Sequence, residues 1–108
     1  MDLADLLKAL ADPNRLRILH LLGTQTLCVC DLEDVLGLEQ SNLSRHLAKL
    51  KHAGLVTSSK KGQFAYYTRA PLGTPYAPAV EQIYLTMASD PHWEADRKAL
   101  AVRQGCCR

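Results

Sequence analysis

The sequence predicts a mainly α-helical domain carrying one small β-hairpin. Three observations lead there. Leucines recur at helical spacing in four successive stretches, each closed by a Gly or by Asp12-Pro13. The period then shortens to that of strands on either side of Lys61-Gly62, a tight-turn signal among β-branched and aromatic residues. Helical spacing returns afterwards. At 108 residues the chain is one domain, with a modest core and something to gain from a partner subunit.

Each element has its own local reason. Leu3, Leu6, Leu7 and Leu10 form one helical stripe over residues 2–11, with Asp2 and Asp5 at the positive end of the helix. Asp12 caps a second helix and Pro13 occupies its first position. Leu16, Ile18, Leu19, Leu21 and Leu22 make that helix apolar enough to be buried, and Gly23 stops it. A third, short helix starts at about Cys30 or Asp31 and ends at Leu36, before Gly37. Leu38-Glu39 is a turn, and a fourth helix runs over about 40–53, with Leu43, Leu47 and Leu50 inward and Gly54 closing it. Two helices joined by a short Gly-containing turn form a helix-turn-helix, here about 30–53. Residues 56–60 and 63–68 read as the hairpin, so a wing of about 55–69 follows, with Lys60 and Lys61 at its tip. Ala70 to Ala79 is a Pro-rich loop. Val80, Ile83, Tyr84 and Met87 set a buried stripe on a fifth helix of about 76–89, and Asp90-Pro91 starts a sixth. The whole is a winged helix-turn-helix.

Composition narrows the function classes. Apolar residues at 47% and charged residues at 22% are ordinary for a globular protein. No apolar run approaches the ~20 residues that a membrane span needs, and the acidic N-terminus does not resemble a secretory signal. A cytoplasmic protein with reduced thiols and no membrane partner is expected. Net charge is only +2, but it is unevenly placed. Residues 40–69 hold Arg45, Lys49, Lys51, Lys60, Lys61 and Arg69 and no acid, whereas residues 1–39 are acidic. A wholly basic middle third is a footprint for a polyanion.

The fourth helix can meet that polyanion. Opposite its leucines lie Gln40, Ser41, Asn42, Ser44, Arg45, His46 and Lys49. Arg pairs with guanine, Gln and Asn with adenine, and Ser with phosphate or either base type. Lys60 and Lys61 would meet backbone phosphate or the adjacent minor groove. DNA binding through these nine residues is the expectation.

The four cysteines form two close pairs, Cys28 with Cys30 and Cys106 with Cys107. A single reduced Cys is commonly a small core hydrophobe. Close pairs suit chelation of a soft metal or metalloid, and a helix N-terminus favours thiolate. Residues i and i+2 of a regular helix point ~200° apart, so Cys28 and Cys30 can share one ion only if the first turn is extended or unwinds. Ligand binding is therefore expected to distort the front of the helix-turn-helix. The alternatives differ: a thiol enzyme would need an acid/base cluster beside a thiol or a phosphate-cradling loop, which the sequence lacks, and a pure protein-interaction module would not need the basic third. No enzyme activity and no catalytic cofactor are expected.

Several segments together resemble the ArsR/SmtB family of metal-responsive repressors: Leu27-Cys28-Val29-Cys30-Asp31-Leu32, Gln40 to Leu50, Ala53-Gly54-Leu55-Val56, Gly62 to Tyr67, and Asp12 to Leu19. The likeness covers residues 3–69 well and the last third loosely. It implies a homodimer joined through helices of about 2–11 and 76–103, which leaves operator DNA when a toxic metal or metalloid binds. Cys28-Val29-Cys30-Asp31 resembles the arsenite/antimonite branch, so As(III) or Sb(III) on Cys28, Cys30, Cys106 and Cys107 is the implied inducer. The cadmium/lead branch carries the motif too. An organoarsenical sensor and a thiol-redox or persulfide sensor remain alternatives. The best-known arsenite members add a third Cys where this chain has Glu33, so either a third thiolate comes from elsewhere, with Cys106 or Cys107 able to supply it from the same subunit or the other, or the site works with two. Alternatively, Cys106-Cys107 is a separate site, and two thiolates would suit a monomethylated trivalent arsenical. The family's zinc/nickel pattern on the fifth helix is not matched.

Overall fold

A computed structural model describes residues 2–23 and 25–103. In chain order the elements are α1 (Leu3–Leu10), α2 (Pro13–Leu22), β1 (Leu27–Cys28), α3 (Val29–Leu36), α4 (Gln40–His52), β2 (Val56–Lys61), β3 (Phe64–Arg69), α5 (Ala77–Ser89), a 3-10 turn (Pro91–Trp93) and α6 (Glu94–Val102). The local signals act as expected. Asp2 accepts the Asp5 amide at 2.9 Å, and Asp12 accepts those of Asn14 and Arg15 at 2.8 and 3.1 Å. Gly37, with φ +67°, ends α3 in a left-handed conformation that a side chain would strain, and this turns the chain into α4.

The core is built from leucines of the first half. Ile18, Leu19 and Leu22 of α2 pack with Leu32 of α3, Leu43, Leu47 and Leu50 of α4, and Leu55 and Val56 beneath the wing. Polar clasps join the later elements to this core. Arg17 donates to both Asp96 oxygens at 2.8 and 3.0 Å, tying α2 to α6. Arg69 donates to the Leu19 carbonyl at 2.8 Å, tying β3 to α2.

The hairpin is part of a three-stranded antiparallel sheet in the order β1-β3-β2. Val56 pairs with Arg69 at its base and Lys61 with Phe64 at its tip, where Gly62 (φ +60°) makes the turn. The third strand is new relative to the sequence expectation. Leu27 pairs with Tyr67, and Cys28 with Tyr66. Helix α3 accordingly starts at Val29, immediately after a strand.

Helix α5 buries Val80, Tyr84 and Met87, but Ile83, expected in the same stripe, is exposed. At ~100° per residue, a stripe centred on Val80, Tyr84 and Met87 places residue 83 at its edge. Leu3 and Leu7 of α1 are exposed too, while Leu6 and Leu10 face the core. Among the described residues no helix is long and apolar enough to cross a membrane.

Candidate functional site

The face expected to meet DNA lies on α4. Its leucines at 43, 47 and 50 are buried, which turns Gln40, Ser41, Ser44, Arg45 and Lys49 to the surface. Gln40 and Ser41 occupy the first turn, where unsatisfied amides and the positive end of the helix attract phosphate. Asn42 is half-buried, and its side-chain oxygen accepts from Arg45, which holds the guanidinium along the helix. Lys60 and Lys61 are exposed at the wing tip, with the Lys61 ammonium 5.9 Å from the centre of the Tyr66 ring. Lys51 donates to Ser58 at 2.7 Å, fixing the end of α4 to β2.

His46 departs from expectation. It is 5% exposed and cannot face a groove in this arrangement. The reason lies in the stripe itself: residue 46 is i+3 from Leu43, on the same side as Leu47 and Leu50. Its ring meets α2. Arg15 Nη1 lies 3.2 Å from His46 Nδ1, while Arg15 also donates to the Ala9 and Lys8 carbonyls at 2.6 and 2.9 Å. One guanidinium thus joins the end of α1 to α4. Accepting from Arg15 requires a neutral imidazole with its proton on Nε2, which lies 4.0 Å from Asp12. Burial pushes the His46 pKa down. The Arg15, Arg45 and Lys49 charges add to this, against an opposing pull from Asp12.

The thiol pair lies where β1 meets α3. Cys28 is 2% exposed and caps α3 with extended backbone (φ −71°, ψ 150°), while Cys30 is in the first turn and half-buried. Their sulfurs are 2.7 Å apart. The expected conflict between i and i+2 positions therefore does not arise, because only Cys30 is helical. Of the two ways expected for the pair to share an ion, an extended first turn or an unwound one, the structure has the first: Cys28 is extended and α3 stays wound. The Asp31 carboxylate accepts the Cys28 amide at 3.2 Å and reciprocally anchors the start of the helix.

Arg103 was not singled out by the sequence, yet it completes this corner. It donates to Asp31 at 3.0 Å and pairs with Asp34, binding the segment after α6 to α3. A shallow cleft beside it is lined by Cys30, Glu33, Gly37 and Leu38. Cys106 and Cys107 lie outside the described residues. Among the described residues no group of three or more His, Cys, Asp or Glu side chains is gathered for metal binding.

Comparison with known proteins agrees with this architecture. The family model described as "Bacterial regulatory protein, arsR family" matches residues 12–58. The arsenic resistance transcriptional regulator ArsR1 of Pseudomonas putida is 45% identical over 65 residues, covering 59% of this chain and 51% of that protein. ArsR2 of the same organism, also an arsenic resistance transcriptional regulator, is 33% identical over 93 residues, covering 85% and 79%. A homodimeric winged helix-turn-helix DNA-binding domain from Mycobacterium bovis superposes with a TM-score of 0.64 at 30% identity, over 84% of this chain and 81% of that one. The chain spans about half the length of several curated relatives it matches.

Proposed function

Because the chain belongs to the ArsR family of bacterial regulatory proteins, we propose that it represses transcription by binding operator DNA as a homodimer. In this reading arsenite or antimonite, captured by cysteine thiolates, releases it. One observation supports the inducer site above others: β1 and the first turn of α3 place Cys28 and Cys30 side by side. The pair sits on the residue that joins the wing sheet to α3. Trivalent metalloids are soft, and a thiolate pair is the matching chelate.

Operator contact falls to Gln40, Ser41, Asn42, Ser44, Arg45 and Lys49 in the groove, with Lys60 and Lys61 of the wing on phosphate. Dimerisation falls to the exposed apolar residues of α1 and α5 and to the Tyr76 N-cap of α5, namely Leu3, Leu7, Ile83 and Tyr76. The third thiolate comes from Cys106 or Cys107. Arg103, three positions before Cys106 in the sequence, is bound to α3.

Release follows from the β1–β3 pairing. Cys28 is paired with Tyr66 of the wing and leads into α3. A metalloid that repositions Cys28 and Cys30 moves the wing and the first helix of the reader together. DNA prefers one arrangement and the inducer the other, so each weakens the other by the same factor.

The test is release of labelled operator titrated with arsenite, antimonite, methylarsenite, cadmium and peroxide. Replacing both Cys28 and Cys30 with Ser should leave operator binding intact and abolish release by arsenite. Replacing Cys106 and Cys107 with Ser should weaken the arsenite response. Arsenite release that survives the first double replacement would sink the proposed site. Selective response to cadmium would move the inducer to a divalent metal. The adjacency of the two cysteines also favours a second reading, in which peroxide oxidises a reduced pair to a disulfide and is itself reduced to water. That reading predicts release by peroxide and recovery with a dithiol reductant.

A further inference from the structure

A second cleft, of about 560 Å³, opens between α2, β3, α5 and α6 and shares no residue with the thiol corner or the recognition face. Its volume is in the range that takes small organic ligands. Two polar atoms on its walls lack partners among the described residues: His20 Nε2 and the Tyr84 hydroxyl, on side chains each 8% exposed. Buried polar groups are nearly always hydrogen-bonded, so two orphans lining one cleft point to a group that enters it.

The charge in the cleft is also unbalanced. Arg69 is half-buried, with its guanidinium carbon 3.9 Å from the centre of the Tyr84 ring. Its Nε donates to the Leu19 carbonyl, but among the described residues no carboxylate lies within ion-pair distance of it. Glu81, on the cleft wall, is exposed and makes no ion pair with it. Burial lowers the Arg69 pKa, and Tyr84 is the group that opposes this. A desolvated cation without a counter-ion attracts an anion strongly. The remaining walls are apolar, with Leu72, Leu85 and Leu100 among them. Leu85 is 67% exposed and lies two residues from Ile83. It therefore points ~200° away from the face assigned to dimerisation.

We propose that this cleft binds a small organic carboxylate, with its carboxylate on Arg69 and the Tyr84 hydroxyl and its apolar body against Leu72, Leu85 and Leu100. The site is separate from the thiol pair, so it does not rest on the inducer reading above.

Trp93 is the only tryptophan and its ring lies 6.1 Å from that of His20, which makes it a built-in reporter. The full chain would be titrated with sodium hexanoate and cyclohexanecarboxylate, and in parallel with hexylamine and inorganic phosphate, following Trp93 fluorescence. The carboxylates should give a saturable change at up to millimolar concentration, and hexylamine and phosphate should not. Arg69→Gln should weaken hexanoate binding about tenfold and Tyr84→Phe about threefold, the scale of a charge-assisted and a neutral hydrogen bond. Replacing Cys28 and Cys30 with Ser, neither of which lines the cleft, should leave hexanoate affinity unchanged, and a loss of it overturns the separate site. No saturable response to either carboxylate overturns the proposal, as does an equal response to phosphate or hexylamine. If Arg69→Gln does not fold, a folded Tyr84→Phe chain that binds hexanoate with unchanged affinity overturns it instead.

Discussion

Cys28 serves two structures at once: it is a strand residue paired with Tyr66 and the N-cap of α3, with its amide on Asp31 and its sulfur against Cys30. The motif was legible in the sequence, but the convergence of its sulfurs was not. The i, i+2 argument holds only when both residues are helical, and whether Cys28 is helical depends on a partner strand far along the chain. His46 is the opposite case, since its i+3 relation to Leu43 was already in the sequence and polar type alone suggested the groove. Two predictions belong at this scale. Arg45→Ala should weaken operator binding by about 1–3 kcal/mol at fixed salt if it reads a base edge; unchanged affinity in a gel-shift titration would place the recognition surface elsewhere. The second concerns pH. His46 and His20 are both held below the ordinary value of 6.5, chiefly by burial. The unfolded chain then binds more protons than the folded one in acid, so stability is present above about pH 6.5 and is lost as pH falls through the lower folded-state values. Urea midpoints should drop between about pH 7.5 and about pH 5.5, and His46→Gln, which keeps an acceptor for Arg15, should flatten part of that slope.

Most helices could be read from leucine spacing and their Gly and Asp-Pro boundaries, because those signals are local. The two-residue strand β1 could not. It has no periodicity of its own and exists through pairing with Tyr66 and Tyr67. The clasp from Arg103 to α3 is hidden for the same reason, since it joins residues 72 positions apart. Helix α4 has one face in the core and the other exposed, so packing and the proposed DNA contact can be tested separately. Leu47→Ala should destabilise the fold by about 2–5 kcal/mol in urea denaturation, the usual cost of truncating a fully buried Leu. Replacing Lys60 and Lys61 with Ala should leave stability unchanged. It should also lower the slope of log affinity against log salt by about 1 for each phosphate that a wing lysine neutralises. An unaltered slope would remove the wing tip from the interface.

For the molecule as a whole, exposed Leu3, Leu7, Tyr76 and Ile83 make the isolated subunit a poor final state in water. Two recognition helices must also be set ~34–36 Å apart to read half-sites one turn apart. Ile83→Asp should therefore give a monomer in analytical ultracentrifugation at micromolar concentration and sharply reduce operator affinity. A variant that stays dimeric would place the subunit contact on another face. The winged helix-turn-helix itself was legible because its order of helices, turn and hairpin is written in consecutive segments.

The β1–β3 pairing also bears on how the chain matures. Cys28 and Tyr66 are far apart in sequence, and contacts of that separation close late, after the entropy of the intervening loop has been overcome. The extended backbone at Cys28, and with it the arrangement of the thiol pair, is then a product of late folding. A chain still lacking its wing would present two cysteines without the geometry that gathers them. On the inducer reading proposed above, sensitivity would begin only once the winged helix-turn-helix has been completed.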